Sequence, residues 1–389
     1  AIPLVLYAQL TGLMAHHAVT LVTVAGPDRS EWAALARLQI MGVDVQAVRR
    51  SEPHGLARWQ RRWRWASTWF KGKIPWRTIW FWEPAVQHIL NRLFAERSFD
   101  LVIVEDNAMG IYQYGTSTPT IFTEHEVRRP RSINWQAGSP SNWRRWALGE
   151  ADWQRWRKYQ SSVWRQFDRI QVFTPRDAEA VAALAHDLAE RVRVNPFGVE
   201  LPAPLDAELE EPGTVLFVGN FTHPPNVDAA LWLGNEIMPA LRKCYPGARL
   251  TLVGIYPPKS VQALACADIL VTGAVPEIEP YFARAAVVVA PLRIGGGMRM
   301  KVLQALALGK AIVTTPRGTD GLKIGEQPPP LIIAENAEQI AEATASLLAS
   351  CETRRSLGCQ ARTFVIENFS AQAYAHRIEG TYAELQAKH

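Results

Sequence analysis

Cysteine is scarce in this chain: four residues in 389, all beyond position 240 and none in a CxxC spacing. That excludes a disulfide framework and a cysteine-built zinc site, and it points to a reducing cytoplasm. Long apolar runs are missing as well, since none reaches the ~20 residues a membrane span needs. The opening AIPLVLYAQLTGLMA has the character of a signal core but lacks a basic flank and a cleavage site. It reads as a buried helix ahead of a strand over 19–24. There is no GxxxxGK[ST], HExxH or GxSxG sequence, and no DxD at a plausible strand end. P-loop hydrolysis, zinc-peptidase and serine-hydrolase chemistry receive no support, and no metal is implied.

What is present divides unevenly. Hydrophobic residues at 48% and charged residues at 20% describe a soluble globular chain, and the length suggests two domains. Residues 1–200 carry a net charge of +7 and residues 201–389 a net −2. Fourteen of the 15 tryptophans precede residue 165, leaving only Trp232 after it. Two halves so different in composition suggest two domains with different partners.

Both halves alternate short β-branched runs with helix-forming segments. In the first, strands are predicted over 19–24, 43–48, 101–104, 120–122, 170–173 and 191–194, with helices over 31–41, 84–96, about 142–167 and 177–188. A proline-rich acidic stretch, 201–213, reads as the linker. Strands over 215–218, 249–253, 269–271, 287–291, 311–315 and 331–334 follow, with helices between and after them. This α/β pattern implies two Rossmann-like domains facing across a cleft, 1–205 and 206–370.

The chain is organised around VVVAPLRIGGGMRMKVLQALALGKAIVTT at 287–315. A strand, a glycine triplet (Gly295, Gly296, Gly297), a helix over 298–308 and a second strand place the loop at a carboxyl strand edge, where open α/β sheets bind ligands. Glycines let the backbone approach an anion, and the amides at a helix start point towards it. Arg299 and Lys301 in the first turn oppose the helix dipole unless an anion sits there. From spacing alone, a diphosphate site and an ordinary glycine turn both remain open. A second loop, Gly219-Asn220-Phe221-Thr222-His223-Pro224-Pro225-Asn226, lies on the same edge. In the first half, Glu105-Asp106 and Glu124-His125-Glu126 end neighbouring strands. Histidine flanked by carboxylates suits sugar binding or acid–base work, and solvated strand-end carboxylates are the plainer alternative.

These segments together resemble family 4 glycosyltransferases, which have the GT-B fold. GGGMRMKVLQALALGKAIVTT and VLFVGNFTHPPNVDAALWL are similar to the family's donor-site signatures. VNPFGVE resembles its domain-crossing segment, with Phe197 and Glu200 as departures. TEHEV resembles its strand-end histidine motif, and FVIENFSAQAYAHRIEGTYAEL its closing helices, which implies that 371–389 packs back on the first domain. The resemblance implies a retaining transferase that uses a nucleoside-diphosphate sugar as donor substrate, with no further cofactor. Arg299 and Lys301 would bind the diphosphate with the amides of Gly296 and Gly297, the backbone of Gly219 and Asn220 would line the pocket, and His125 would sit beside the donor sugar. Gln304 stands where the family usually places a ribose-binding glutamate. The family's first strand and glycine-rich loop are not found ahead of the first helix, so Ala1 reads as a truncation point.

Two alternatives remain open at this level: a nucleotide-sugar epimerase of the same fold, and a non-catalytic RNA- or membrane-binding protein with a degenerate donor site. The stretch from Arg58 to Trp82 bears on them. It holds seven basic residues, seven tryptophans and no acid. Tryptophan at that density exceeds what base stacking needs, so nucleic acid is not the expected partner. An anionic membrane surface is, which implies peripheral attachment on the cytoplasmic side and a glycan, lipid-linked or polysaccharide-precursor acceptor; tryptophans packed in the first domain's core with their arginines solvated are the plainer alternative.

Overall fold

The computed structural model describes residues 2–50, 59, 63, 67, 74–79, 81–115, 117–125, 127–128, 143–295, 298–324 and 327–387, with backbone alone at 2–5, 76–77 and 143–149. The chain divides into two compact units, Leu6–Asn195 with Ala375–His389 and Pro196–Tyr374 with Ala1–Val5.

In the first unit, β1 (Thr20–Ala25) and β2 (Asp44–Arg49) pair in parallel. Four further strands, β3 (Val102–Glu105), β4 (Thr120–Glu124), β5 (Arg169–Val172) and β6 (Val192–Val194), form a parallel sheet in chain order. Every residue of β4 and β5 is buried, the mark of a parallel strand covered on both faces. The helix Pro84–Glu96 starts on a proline that needs no N–H partner and buries Val86, Leu90 and Leu93 on one face. The helix Trp143–Trp164 turns Trp153, Trp156, Tyr159, Val163 and Trp164 into a core with Phe122, Phe167 and Ile170. Tryptophans of this half are therefore partly structural.

The second unit is a six-stranded parallel sheet. Its strands are β7 (Thr214–Val218), β8 (Arg249–Val253), β9 (Ile269–Gly273), β10 (Val287–Ala290), β11 (Ile312–Thr314) and β12 (Ile332–Ile333), in the order β12-β11-β10-β7-β8-β9. Strand order reverses between β7 and β10, which makes the crevice at their carboxyl ends the ligand position of a doubly wound sheet. The helix after β7 starts at Pro224, and it widens to a π turn over Leu233–Ile237 before the helix Met238–Cys244. Pro239 has no N–H to offer and crowds the preceding turn, which accounts for the widening. The proline-rich stretch 201–213 is fastened to this unit: Glu210 pairs with Arg354 at 2.5 Å and Lys310 at 3.5 Å, and the Glu211 amide donates to Arg284 O. The last helix, Ala371–Gln386, begins in this unit and continues in the first. There its Arg377 donates to Asn195 Oδ1 at 2.5 Å and its Glu384 holds Arg193 at 2.7 Å.

Candidate functional site

The loop after β7 is built on backbone. Gly219 N–H donates to Val253 O at 2.9 Å and Phe221 N–H to Ile255 O at 3.1 Å, so the β7–β8 ladder continues past the strand ends. Gly254 permits this, because a Cβ there would lie 1.7 Å from Gly219 O. Asn220 folds the loop back by accepting from the Thr222 amide and hydroxyl at 2.9 and 2.8 Å. Its carbonyl accepts from Asn226 Nδ2 at 2.6 Å, which fixes the amide of Asn226 in the first turn of the next helix. His223, just before that helix, is exposed.

Across the switch point, β10 leads to Gly295, whose φ of +103° suits glycine. Gly296 and Gly297 lie outside the described residues. The helix runs Met300–Ala307, two residues shorter at its start than expected, so Arg299 is the residue before the helix and Lys301 its second residue. Arg299 is nearly buried; it donates to Arg317 O at 3.2 Å and Gly295 O at 2.9 Å, and Asp320 lies 3.8 Å from its Nη2. Lys301 Nζ donates to Asn226 Oδ1 and sits 4.6 Å above the Phe217 ring. Burial, and secondarily the charge of Arg299, lowers the Lys301 pKa to about 7. The structure thus gathers Arg299, Lys301 and, through Asn226, the Gly219–Asn220 loop. Gln304 follows one turn beyond Lys301 and is half-buried.

Sequence reasoning gave no role to Asn226, nor to the turn after β11. There Thr315 caps the turn Pro316–Thr319 and donates to Leu292 O of the β10 loop. The same turn brings in Arg317 and Asp320, which lie 3.8 Å apart. The available signal was PRGTDG, a proline- and glycine-marked turn on the carboxyl edge of a strand neighbouring β10.

In the first unit, His125 follows β4 and its Nε2 lies 2.8 Å from Glu105 Oε2. Burial opposes its protonation, but the hydrogen bond and charge of Glu105, with the charge of Asp106, outweigh it and raise the pKa. The ring meets Phe173 edge-on at 5.2 Å. Glu124 does not fit the plainer alternative of solvated carboxylates, being buried. β4 extends through Glu124 and turns it inward, where it accepts from Asn107 Nδ2 at 2.5–2.6 Å and Trp164 Nε1 at 2.9 Å. Burial, then the charge of Asp106, pushes its carboxyl up to about 8. Glu126 lies outside the described residues, as does most of Arg58–Trp82. Among the described residues there is no cluster of three or more His, Cys, Asp or Glu able to hold a metal ion, and no helix long and apolar enough to cross a membrane.

Solved structures share this architecture. Sucrose-phosphate synthase from Thermosynechococcus elongatus superimposes with a TM-score of 0.62 at 16% identity, covering 95% of this chain and 100% of that one. The fold is GT-B. HepE of Anabaena, solved in complex with UDP, gives a TM-score of 0.62 at 11% identity over 95% and 100% of the two chains. At such identities these GT-B neighbours speak to the fold alone. Residues 212–350 match the family model described as Glycosyl transferases group 1, so the second unit of this GT-B chain is similar to a glycosyltransferase domain. A curated relative, an uncharacterized 44.6 kDa protein in the cps region of Klebsiella pneumoniae, is 23% identical over 169 residues. The match covers 41% of this chain and 43% of the relative's length.

Proposed function

We propose that this chain is a retaining glycosyltransferase that moves a sugar from a nucleoside-diphosphate sugar to a glycan, lipid-linked or polysaccharide-precursor acceptor. The observation that carries it is the pair Arg299 and Lys301 at the β7/β10 switch point, two enclosed cations beside glycine-bearing loops. Cations so placed favour a bound anion, and a diphosphate offers charge to both. In the proposed reaction the leaving diphosphate accepts the acceptor's proton on the face being substituted, so that configuration is retained. Arg299, Lys301 and the loop amides, including those of Gly296 and Gly297, stabilise the charge that develops on the departing phosphate. His125, held by Glu105, contacts the donor sugar, and Gln304 the ribose. The glycosyltransferase family match supports transfer, UDP in the HepE complex supports a nucleotide donor, and the cps-region relative supports a polysaccharide acceptor.

Acceptor encounter on an anionic membrane surface at the cytoplasmic face is part of the same reading. Trp59 and Trp63 are 64% and 71% exposed. Seven basic residues surround them in sequence, each worth about 1 kcal/mol near anionic lipid. Thermal-shift titration with UDP-, GDP- and ADP-sugars tests the donor, since saturating ligand at a hundredfold Kd stabilises by about 2.7 kcal/mol. Arg299→Ala/Lys301→Ala should abolish that shift, and transfer should fall by about 2–4 kcal/mol of transition-state stabilisation per cation. Transfer at the parental rate would overturn the assignment. Co-sedimentation with anionic vesicles, lost at high salt, is expected, and no sedimentation at low salt would remove the membrane from the reading.

A further inference from the structure

Lys301 has an unusual partner for an enclosed lysine. Its amine is hydrogen-bonded to the side-chain carbonyl of Asn226, which carries no charge, and lies over the Phe217 ring. Among the described residues no carboxylate pairs with it. The charged groups on the surrounding elements are otherwise engaged. Asp228, two residues past Asn226, is gripped by Arg293 at 2.7 and 3.1 Å, and Asp320 lies between Arg299 and Arg317. The helix Met300–Ala307 carries no other charge, β7 contributes Phe217, and His223 is exposed ahead of the Asn226 helix. A guanidinium beside this lysine keeps its charge at every physiological pH, so Lys301 is the cation able to give up a proton. Enclosure and the neighbouring Arg299 both favour that loss.

We propose that nucleoside-diphosphate sugar binding at this site is coupled to uptake of one proton by the Lys301 amine, and that Asn226 creates the coupling by offering that amine an uncharged partner. The inference rests on the donor-site reading. The proton comes from solvent and adds to the Nζ lone pair; no other bond changes. The oxygen of Asn226 accepts from either the amine or the ammonium, so the side chain stays in place through the change. An arriving diphosphate supplies the negative charge that the protein withholds, and the ammonium then becomes the stable form. A free site whose lysine is partly discharged avoids enclosing a second full positive charge near Arg299, whose own carboxylate neighbour, Asp320, does not reach the lysine.

Isothermal calorimetry in buffers of differing ionisation enthalpy reads this directly, using UDP-glucose, GDP-mannose and ADP-glucose, whose diphosphate diesters do not titrate near neutrality. At pH 8 the observed enthalpy should vary with the buffer in proportion to most of one proton taken up. At pH 6, where the free lysine is already charged, the dependence should nearly vanish. Affinity should fall about fivefold from pH 7 to pH 8, as the free amine discharges above its pKa of about 7. Lys301→Arg, charged throughout, should bind without buffer dependence. Asn226→Asp should lose the dependence too and bind more weakly, its carboxylate having pre-empted the diphosphate. Wild-type binding with a buffer-independent enthalpy at pH 8 overturns the coupling, as does a dependence that persists in Lys301→Arg. Binding of none of the three sugars overturns the donor-site reading itself.

Discussion

Gln304, like Asn226, carries no charge. It lies three residues after Lys301 on the same short helix and is half-buried. A hydrogen bond to a charged acceptor contributes roughly 1 kcal/mol more than a neutral one. Gln304→Glu should therefore tighten nucleotide binding about fivefold by calorimetry if ribose hydroxyls lie there, with the fold unchanged by circular dichroism. The new carboxylate would also stand at i, i+3 from Lys301 and favour its charged form, so part of the gain should come with less proton uptake. Unchanged affinity would place the side chain elsewhere. Arg299 and Lys301 were legible because glycines and misplaced cations are local signals. Asn226 and Asp320 were not, because each acquires its role from a partner 75 and 21 residues away in sequence.

Strand and helix positions followed from local pattern wherever both faces or one stripe were apolar, as in β10 and the helix Pro84–Glu96. Sheet order was not legible in the same way, since the jump from β9 back to β10 beside β7 depends on packing rather than on any stretch of sequence. The loop after β7 offers a test. Gly254 belongs to the β8 edge, yet its lack of a side chain sets where the carbonyl of Gly219 lies. Gly254→Ala should force that carbonyl away, destabilising the second unit by about 1–3 kcal/mol in urea denaturation, the usual cost of overpacking. The displacement should travel through Asn220 O and Asn226 to Lys301, and nucleotide affinity should drop with it. Weakened stability with intact affinity would show that the loop is held independently of β8.

The asymmetry between the two halves of the chain gives its pH response a readable division. Glu124 in the first unit keeps its proton to about pH 8, whereas in an unfolded chain it releases it near 4.5. Below the lower value both states are protonated and the group does not weaken the fold. Between the two, unfolding releases a proton that the native state retains, so stability falls as pH rises. Lys301 in the second unit works in the opposite direction: its native pKa of about 7 lies below the unfolded 10.5, and stability rises with pH between them. The two contributions can be told apart because only Trp232 lies in the second half, so tryptophan fluorescence follows the unfolding of the first unit almost alone. Glu124→Gln keeps the shape and the acceptor for Trp164 Nε1, and its amide can serve Asn107 Oδ1, which is buried and has no partner among the described residues. Fluorescence-monitored melting should show the variant indistinguishable from the parent at pH 4.5 and more stable by ~1–3 kcal/mol at pH 7. That corresponds to a rise in Tm of roughly 2–10 °C for a unit of this size. A difference of the same size at both pH values would mean that the substitution acts through packing and that Glu124 is ionised in the native fold.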